Sequence, residues 1–354
     1  MTGRRASRMD GKLRRRMETL LTQAWWQPEP TRLAWLLWPL SLLYLGLWHL
    51  LRRMRPLAVP LPVPVLVVGN YVVGGAGKTP TVIAIVLALQ RLGHRPGVIS
   101  RGHGGSGEHV QAVERGDSAA TTGDEPLLIR RRCAVPVWIG RHRASAGRAL
   151  CAAHPEVDVL VSDDGLQHAA LARNAELVVF DERGAGNGLL LPAGPLREPL
   201  PRAVPPWRRV LYTAGRASTQ IPGALALRSI ASALPLTAWH VGDAAAAVPL
   251  SALAGRPLLA LAGIAAPEKF FSMLRAAGLS ITPCALPDHH PYSHLPWPAD
   301  TPDVVLTEKD AVKLDPQRMG VTRVWVVPLD LMLPDALVSE LTALLFPAPT
   351  KAPP

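Results

Sequence analysis

The sequence predicts an α/β protein: a P-loop NTPase-type α/β/α domain on a parallel sheet, a second, smaller α/β/α domain, and an N-terminal membrane-associated helix. Three observations predict it. Continuously apolar runs of strand length alternate with helical segments, the pattern of a parallel sheet covered on both faces. A glycine-rich turn, Gly74-Gly75-Ala76-Gly77-Lys78-Thr79, joins the first such strand to the first such helix. A long apolar segment flanked by arginines precedes that strand. At 354 residues the chain exceeds what one core usually holds, so two domains are expected. The expected limits are 1–55 for the basic arm and helix, 56–207 for the nucleotide domain and 208–354 for the second domain.

Of the formal charge of +11, residues 1–55 carry +8, with eleven Lys/Arg against three acids. A basic arm beside an apolar run suits an anionic membrane surface better than a duplex groove, so no nucleic-acid partner is expected. Leu33 to Leu51 is apolar apart from Ser41 and His49, long enough to cross a bilayer as a helix. Trp25, Trp26, Trp35, Trp38 and Trp48 give it interfacial character. No small-residue cleavage site follows, which argues against a secretory signal. Cations on both flanks, with Pro39 and Gly46 inside, favour a helix lying in the interface over a spanning one or a buried core helix.

From residue 63 the α/β pattern begins. Strands are expected at 63–69, 97–100, 135–140, 157–162 and 176–181, with helices at 80–94 and 141–153. A second series follows: the strand "RPLLALAGI", the helix "PEKFFSMLRAAG", the strands "DVVLTEKD" and "RVWVVP", and the helix "PDALVSELTALLF". Cys133, Cys151 and Cys284 lack C-x-x-C spacing, which points to a reducing compartment and neither a disulfide framework nor a zinc site.

The glycine-rich turn carries the chemistry. Gly74, Gly75, Ala76 and Gly77 let successive backbone N–H groups converge on a phosphate, and the helix that follows aims its positive end there. Lys78 would bridge the β- and γ-phosphates and Thr79 would hold magnesium. One position departs from G-x-x-x-x-G-K-[ST]: Val72 stands where the first glycine belongs. The strand "VDVLVS" ends in Asp163-Asp164, where such a fold places magnesium carboxylates. "SRGHGG" (100–105), "GDEP" (123–126), which puts two acids on a loop, and "LPAGPLREP" (191–199), which presents Arg197 and Glu198, follow strands at the same sheet edge. In "PDHHPYSH", His289, His290 and His294 are poorly spaced for zinc, and a histidine acting as base on a hydroxyl is the better reading.

"VPVLVVGNYVVGGAGKTPTV", "SRGHGG", "GDEPLLIRRR", "SDDGLQH", "FDERGAGNGLLLPAGPLREPL", "AGIAAPEKFF", "DHHPYS" and "TEKDAVK" occur in the order of the tetraacyldisaccharide 4′-kinases, the lipid A 4′-kinases of Gram-negative bacteria, which this chain resembles over roughly residues 30 to 346. The resemblance implies transfer of the ATP γ-phosphate, with Mg2+, to a hydroxyl of an acylated glucosamine disaccharide. It also implies anchoring to the cytoplasmic face of the inner membrane through the N-terminal helix. No obligate protein partner is expected. By position it assigns phosphate and magnesium to Lys78 and Thr79, magnesium and nucleotide to Asp163 and Asp164, the cleft lining to Arg197 and Glu198, and a catalytic Asp124–His289 pair, with His290 adjacent. His103, Asn174 and Ala185 depart from residues common in the family. The competing reading is a membrane-associated ATPase switch of the partitioning type, against which Val73 stands where such proteins usually carry lysine.

Overall fold

The computed structural model describes residues 17, 19–54, 57–102 and 109–347, so the arm 1–16 and His103 lie outside the described residues. The first sheet has eight strands: β1 Val65–Gly69, β2 Pro96–Ser100, β3 Gln111–Ala112, β4 Val137–Ile139, β5 Val159–Asp163, β6 Ala175–Phe180, β7 Arg208–Tyr212 and β8 Ala224–Leu225. Their order is β3-β4-β2-β5-β1-β6-β7-β8, parallel except for the β3–β4 pair. Strands β1, β5 and β6 are buried on both faces, which is why they read as unbroken apolar runs.

Helix α1 (Arg32–Arg53) precedes this sheet, and α2 (Lys78–Arg91), α3 (Asp124–Cys133) and α4 (Arg143–Ala153) cover it. Asp124 and Glu125, expected on a loop, instead open α3. Gly123 at φ 90° caps it, the two acids meet the positive end of the helix dipole, Pro126 sits in a first turn that needs no N–H, and Arg130, Arg131 and Arg132 face the negative end.

The chain then forms β9 Leu227–Ser229, β10 Ser232–Pro235, β11 Val248–Pro249, β12 Leu258–Ala262, β13 Ile281–Ala285, β14 Asp303–Thr307, β15 Arg323–Val327 and β16 Asp330–Met332. Six of these make the second sheet, in the order β11-β10-β15-β14-β12-β13, whereas β9 and β16 pair antiparallel as a separate ribbon. Helix α5 (Pro267–Ala276) packs on the second sheet through Phe270, Phe271 and Leu274.

Strands β7 and β8 extend the first sheet by parallel pairing onto β6, so the second sheet begins at Ser232. The final helix α6 (Asp335–Leu345) also returns to the first sheet's core: Leu337, Leu341 and Leu345 join Leu89 and Leu177, and Phe346 stacks on His94 at 4.0 Å.

Helix α1 is not a core helix. Thr31 caps it by accepting from Ala34 N, but within it only Ala34 and Ser41 are buried, while Leu36 and Leu43 are 76% and 71% exposed. Its polar contacts all fall on one side. Ser41 Oγ donates to Leu190 O (2.9 Å) and accepts from Ala193 N (3.1 Å), and Tyr44 OH donates to Arg197 O (2.6 Å). Helix and "LPAGPLREP" are therefore one packed unit.

Candidate functional site

Strand β1 lies between β5 and β6, and all three deliver chemistry to one sheet edge. Beyond β1, Gly74 and Gly77 both take φ 84°, a left-handed conformation that favours glycine, and Gly77 caps α2. Val72 does not break this loop. It is buried in an antiparallel bridge to Leu196, and Val73 N donates to Pro195 O, so the loop's start is pinned to "LPAGPLREP". A side chain that packs replaces a glycine that would only bend.

Lys78 Nζ donates to Asn70 Oδ1 (3.2 Å) and pairs with Asp164 Oδ1 (3.5 Å). Arg197 Nη1 donates to the same Asp164 oxygen at 3.2 Å, and Gln167 Nε2 joins Asn70 O and Glu198 Oε1. The two aspartates point apart, because the strand ends at Asp163 and Asp164 turns out of it. Asp164 takes φ 47° and faces the cations, which outweigh its burial and hold its carboxyl below the usual range. Asp163, 1% exposed, turns inward, where Oδ2 accepts from Ser100 Oγ (3.4 Å) and Oδ1 has no hydrogen-bond partner among the described residues. Burial, with Glu125 and Asp164 nearby, pushes Asp163 up to about 7.

The structure adds residues that sequence reasoning missed. Asp181, one residue beyond β6, is 1% exposed and pairs with Arg183 (2.8 Å) and Lys269 (3.4 Å). Arg183 Nη2 also donates to Gly75 O at 2.5 Å. Arg228, on β9, donates to Thr213 Oγ1 (2.6 Å), and its guanidinium stands 3.0 Å from where a Cβ on Gly77 would lie. A signal existed for Asp181: an apolar strand ending in aspartate, as at Asp163. None existed for Lys269 or Arg228, which lie more than 80 and 40 residues away from it in sequence.

Across the cleft, Asp124 on α3 meets the loop after β13. His289 Nδ1 lies 2.8 Å from Asp124 Oδ2. Asp124 is 6% exposed and His289 43%, so the carboxylate is sheltered and the ring is open. Burial raises Asp124, but the His289 hydrogen bond and the charges of Lys309, His289 and Lys313 outweigh it and lower its pKa. An ionised carboxylate only accepts, so Nδ1–H donates. That bond to Asp124 raises His289 above the ordinary histidine value, against burial and Lys309. His290 turns away, its Nδ1 accepting from Tyr292 N (3.2 Å) and its ring edge-on to Tyr292.

Beside the edge, a cavity of about 930 Å³ runs between α1 and residues 198–208, lined among others by Leu45, Trp48, Arg52, Tyr71, Glu198 and Trp207. It shares Glu198 with the phosphate edge but lies on the side of the apolar helix.

A sequence profile described as tetraacyldisaccharide-1-P 4′-kinase matches residues 33–345. The chain is 52% identical over 339 residues to a tetraacyldisaccharide 4′-kinase of Leptothrix cholodnii, covering 93% of this chain and 97% of the relative. It is 51% identical over 341 residues to that of Methylibium petroleiphilum, covering 94% of each. Its fold is similar to a crystal structure of LpxK from Aquifex aeolicus in complex with ATP, with a TM-score of 0.71 and 26% identity, covering 89% of this chain and all of that one. A glycine-rich loop backed by two aspartates, an Asp–His pair across the cleft and these matches over nearly the whole length agree: the chain belongs to the tetraacyldisaccharide 4′-kinase family.

Proposed function

We propose that this chain transfers the γ-phosphate of ATP to the 4′-hydroxyl of a tetraacylated glucosamine disaccharide 1-phosphate in lipid A synthesis, at the cytoplasmic face of the inner membrane. The observation that carries the reading is the Asp124–His289 pair facing a complete phosphate edge.

The loop amides and the α2 N-terminus bind the β- and γ-phosphates, and Lys78, held between Asn70 and Asp164, is aimed at them. Asp163 fits a divalent cation, because a buried carboxylate oxygen without a partner is costly unless a charge meets it. Thr79 and Asp163 would hold Mg2+, which when bound neutralises charge on the phosphates. His289 Nε2 takes the proton of the 4′-hydroxyl as its oxygen bonds to the γ-phosphorus and the bond to the leaving ADP oxygen breaks. Asp124 stabilises the imidazolium that results. Arg197, Arg183, Lys269 and Arg228 surround the edge with positive charge suited to an anionic donor.

The exposed apolar face of α1 rests in the membrane surface, with Arg52 and Arg53 at anionic headgroups. The adjoining cavity receives an acylated part of the substrate, so lipid passes from bilayer to cleft without crossing water. The test is a lipid phosphorylation assay with ATP, Mg2+ and the acylated disaccharide 1-phosphate. A bisphosphorylated product is expected; ATP turnover indifferent to the lipid would overturn the reading in favour of a switch.

A further inference from the structure

The segment "TEKDAVK", 307–313, has no part in the transfer as described, yet it sends two lysines to the acceptor pair. Thr307 caps the short helix Glu308–Ala311 by accepting from Asp310 N (3.3 Å), and this turn sets Lys309 beside the cleft. Lys309 Nζ lies 3.4 Å from His289 Nε2, 3.5 Å from Asp288 Oδ1 and 3.6 Å from Glu125 Oε1. Lys313 Nζ, buried, stands 4.0 Å from Asp124 Oδ2 and 3.6 Å from Asp310 Oδ1.

Hydrogen-bond valence then decides the state of the ring. Asp124 is ionised and only accepts, so it requires a proton on Nδ1. An ammonium only donates, so Lys309 requires a lone pair on Nε2. Both ends select the same neutral tautomer, which is the form that can take a proton. His289 itself is held at φ 58°, an unfavourable conformation for a non-glycine residue, with its N–H on Gly263 O (3.3 Å) and Asp288 Oδ1 (3.1 Å). Among the described residues, the charged groups facing the ring are Asp124 from α3, Asp288 from its own loop and Lys309 from the 308–311 helix, with Glu125, Lys313 and Asp310 behind them.

We propose that Lys309 is a positioning residue of the phosphoryl transfer: it fixes His289 in the neutral tautomer with its lone pair on Nε2, and ties the His289 loop to the helix of Asp124 through Glu125. Asp288 and Glu125 also hold the ammonium, so Lys309 can give up Nε2 to the incoming hydroxyl without losing its charged partners. The cation also opposes early protonation of a ring whose proton affinity Asp124 raises. The inference rests on the kinase reading with His289 as base.

The test compares full-length wild type, Lys309→Met and Lys309→Arg in the lipid phosphorylation assay across pH. Lys309→Met is expected to lower kcat about 10- to 100-fold, with KM for ATP nearly unchanged. Its acidic limb should move upward by about one pH unit, since the ring loses an opposing charge. Lys309→Arg should restore most of the rate and the position of the limb. Equal loss in both variants with an unmoved limb would reduce Lys309 to packing, and a raised KM for ATP with an unmoved limb would make it a phosphate contact; either overturns the proposal. A histidine NMR titration, with His289→Gln assigning the signal, reads the ring without turnover. Its pKa must rise in Lys309→Met, and no change overturns the proposal. Full activity of His289→Gln and Asp124→Asn would instead sink the base reading, a failure distinct from that of Lys309.

Discussion

The donor edge and the acceptor pair are built in opposite ways. Lys78, Thr79, Asp163 and Asp164 sit on the ends of two adjacent strands of one buried sheet and on the helix that follows, so forming the sheet forms the edge. The register that sets Val68 level with Asp163 fixes their spacing. Asp124 opens a helix on the first sheet and His289 sits in a loop of the second, and their 2.8 Å contact exists only while the two sheets stay in place. Polar ties across the cleft hold them there: Arg132 to Glu308 (3.3 Å), Arg132 to Asp330, and Lys309 to Glu125. The donor geometry is therefore as stable as one sheet, whereas the acceptor geometry is as stable as the contact between two.

The largest effects should come from removing charge at either place. Lys78→Ala is expected to cost roughly 10³-fold or more in kcat, since it removes the cation aimed at the transferring phosphate. Thermal unfolding should change little, because the side chain meets its partners at the cleft and not in the core. Asp124→Asn should cost about 10²- to 10⁴-fold, the range of general-base assistance. If the two variants differ in ATP binding, with Lys78→Ala weakened and Asp124→Asn normal, the division into donor and acceptor sides holds.

A second prediction concerns pH. The Asp124 bond raises His289, and a base must be unprotonated to act, so activity should fall as pH drops through a value above the ordinary histidine range. An acidic limb at or below pH 6 would break the assignment of His289 as base.

A smaller effect tests whether α1 does more than anchor. Tyr44→Phe removes one hydrogen bond to the Arg197 carbonyl, worth about 1 kcal/mol, from the segment whose side chain faces Asp164. A several-fold fall in kcat with membrane binding intact is expected; a change in membrane binding alone would confine the helix to anchoring.

The smallest effect lies in acid stability. Burial lowers His168 and His240 to about 4. Both charge on unfolding below about pH 6.5, so the unfolded state binds more protons between pH 6.5 and 4. Stability should therefore fall as pH drops through that window, and His240→Gln should flatten the fall in a denaturant titration.

Much of the donor edge was legible because it is local: strand, glycine turn, lysine and threonine lie within fifteen residues, and Asp163 ends an apolar run. "GDEP" misled as a loop because a four-residue window cannot show the helix that Gly123 caps. The sheet that Arg208–Tyr212 joins was not legible, because a parallel strand carries no sign of its neighbour; pairing onto β6 decides that.

By itself the sequence determined the α/β class, the glycine turn between strand and helix, the strand-end aspartates and the apolar helix, since each follows from neighbours along the chain whose periodicity or conformational freedom is a local property. Tertiary structure alone decided that Val72 bridges Leu196, that Tyr44 reaches Arg197, and that His289 rather than His290 meets Asp124. It also decided that Lys269 reaches Asp181 and that Arg228 reaches Thr213. These contacts span from 15 to more than 160 residues, and the packing of two sheets and a docked helix, not any local preference, brings them within a few ångströms.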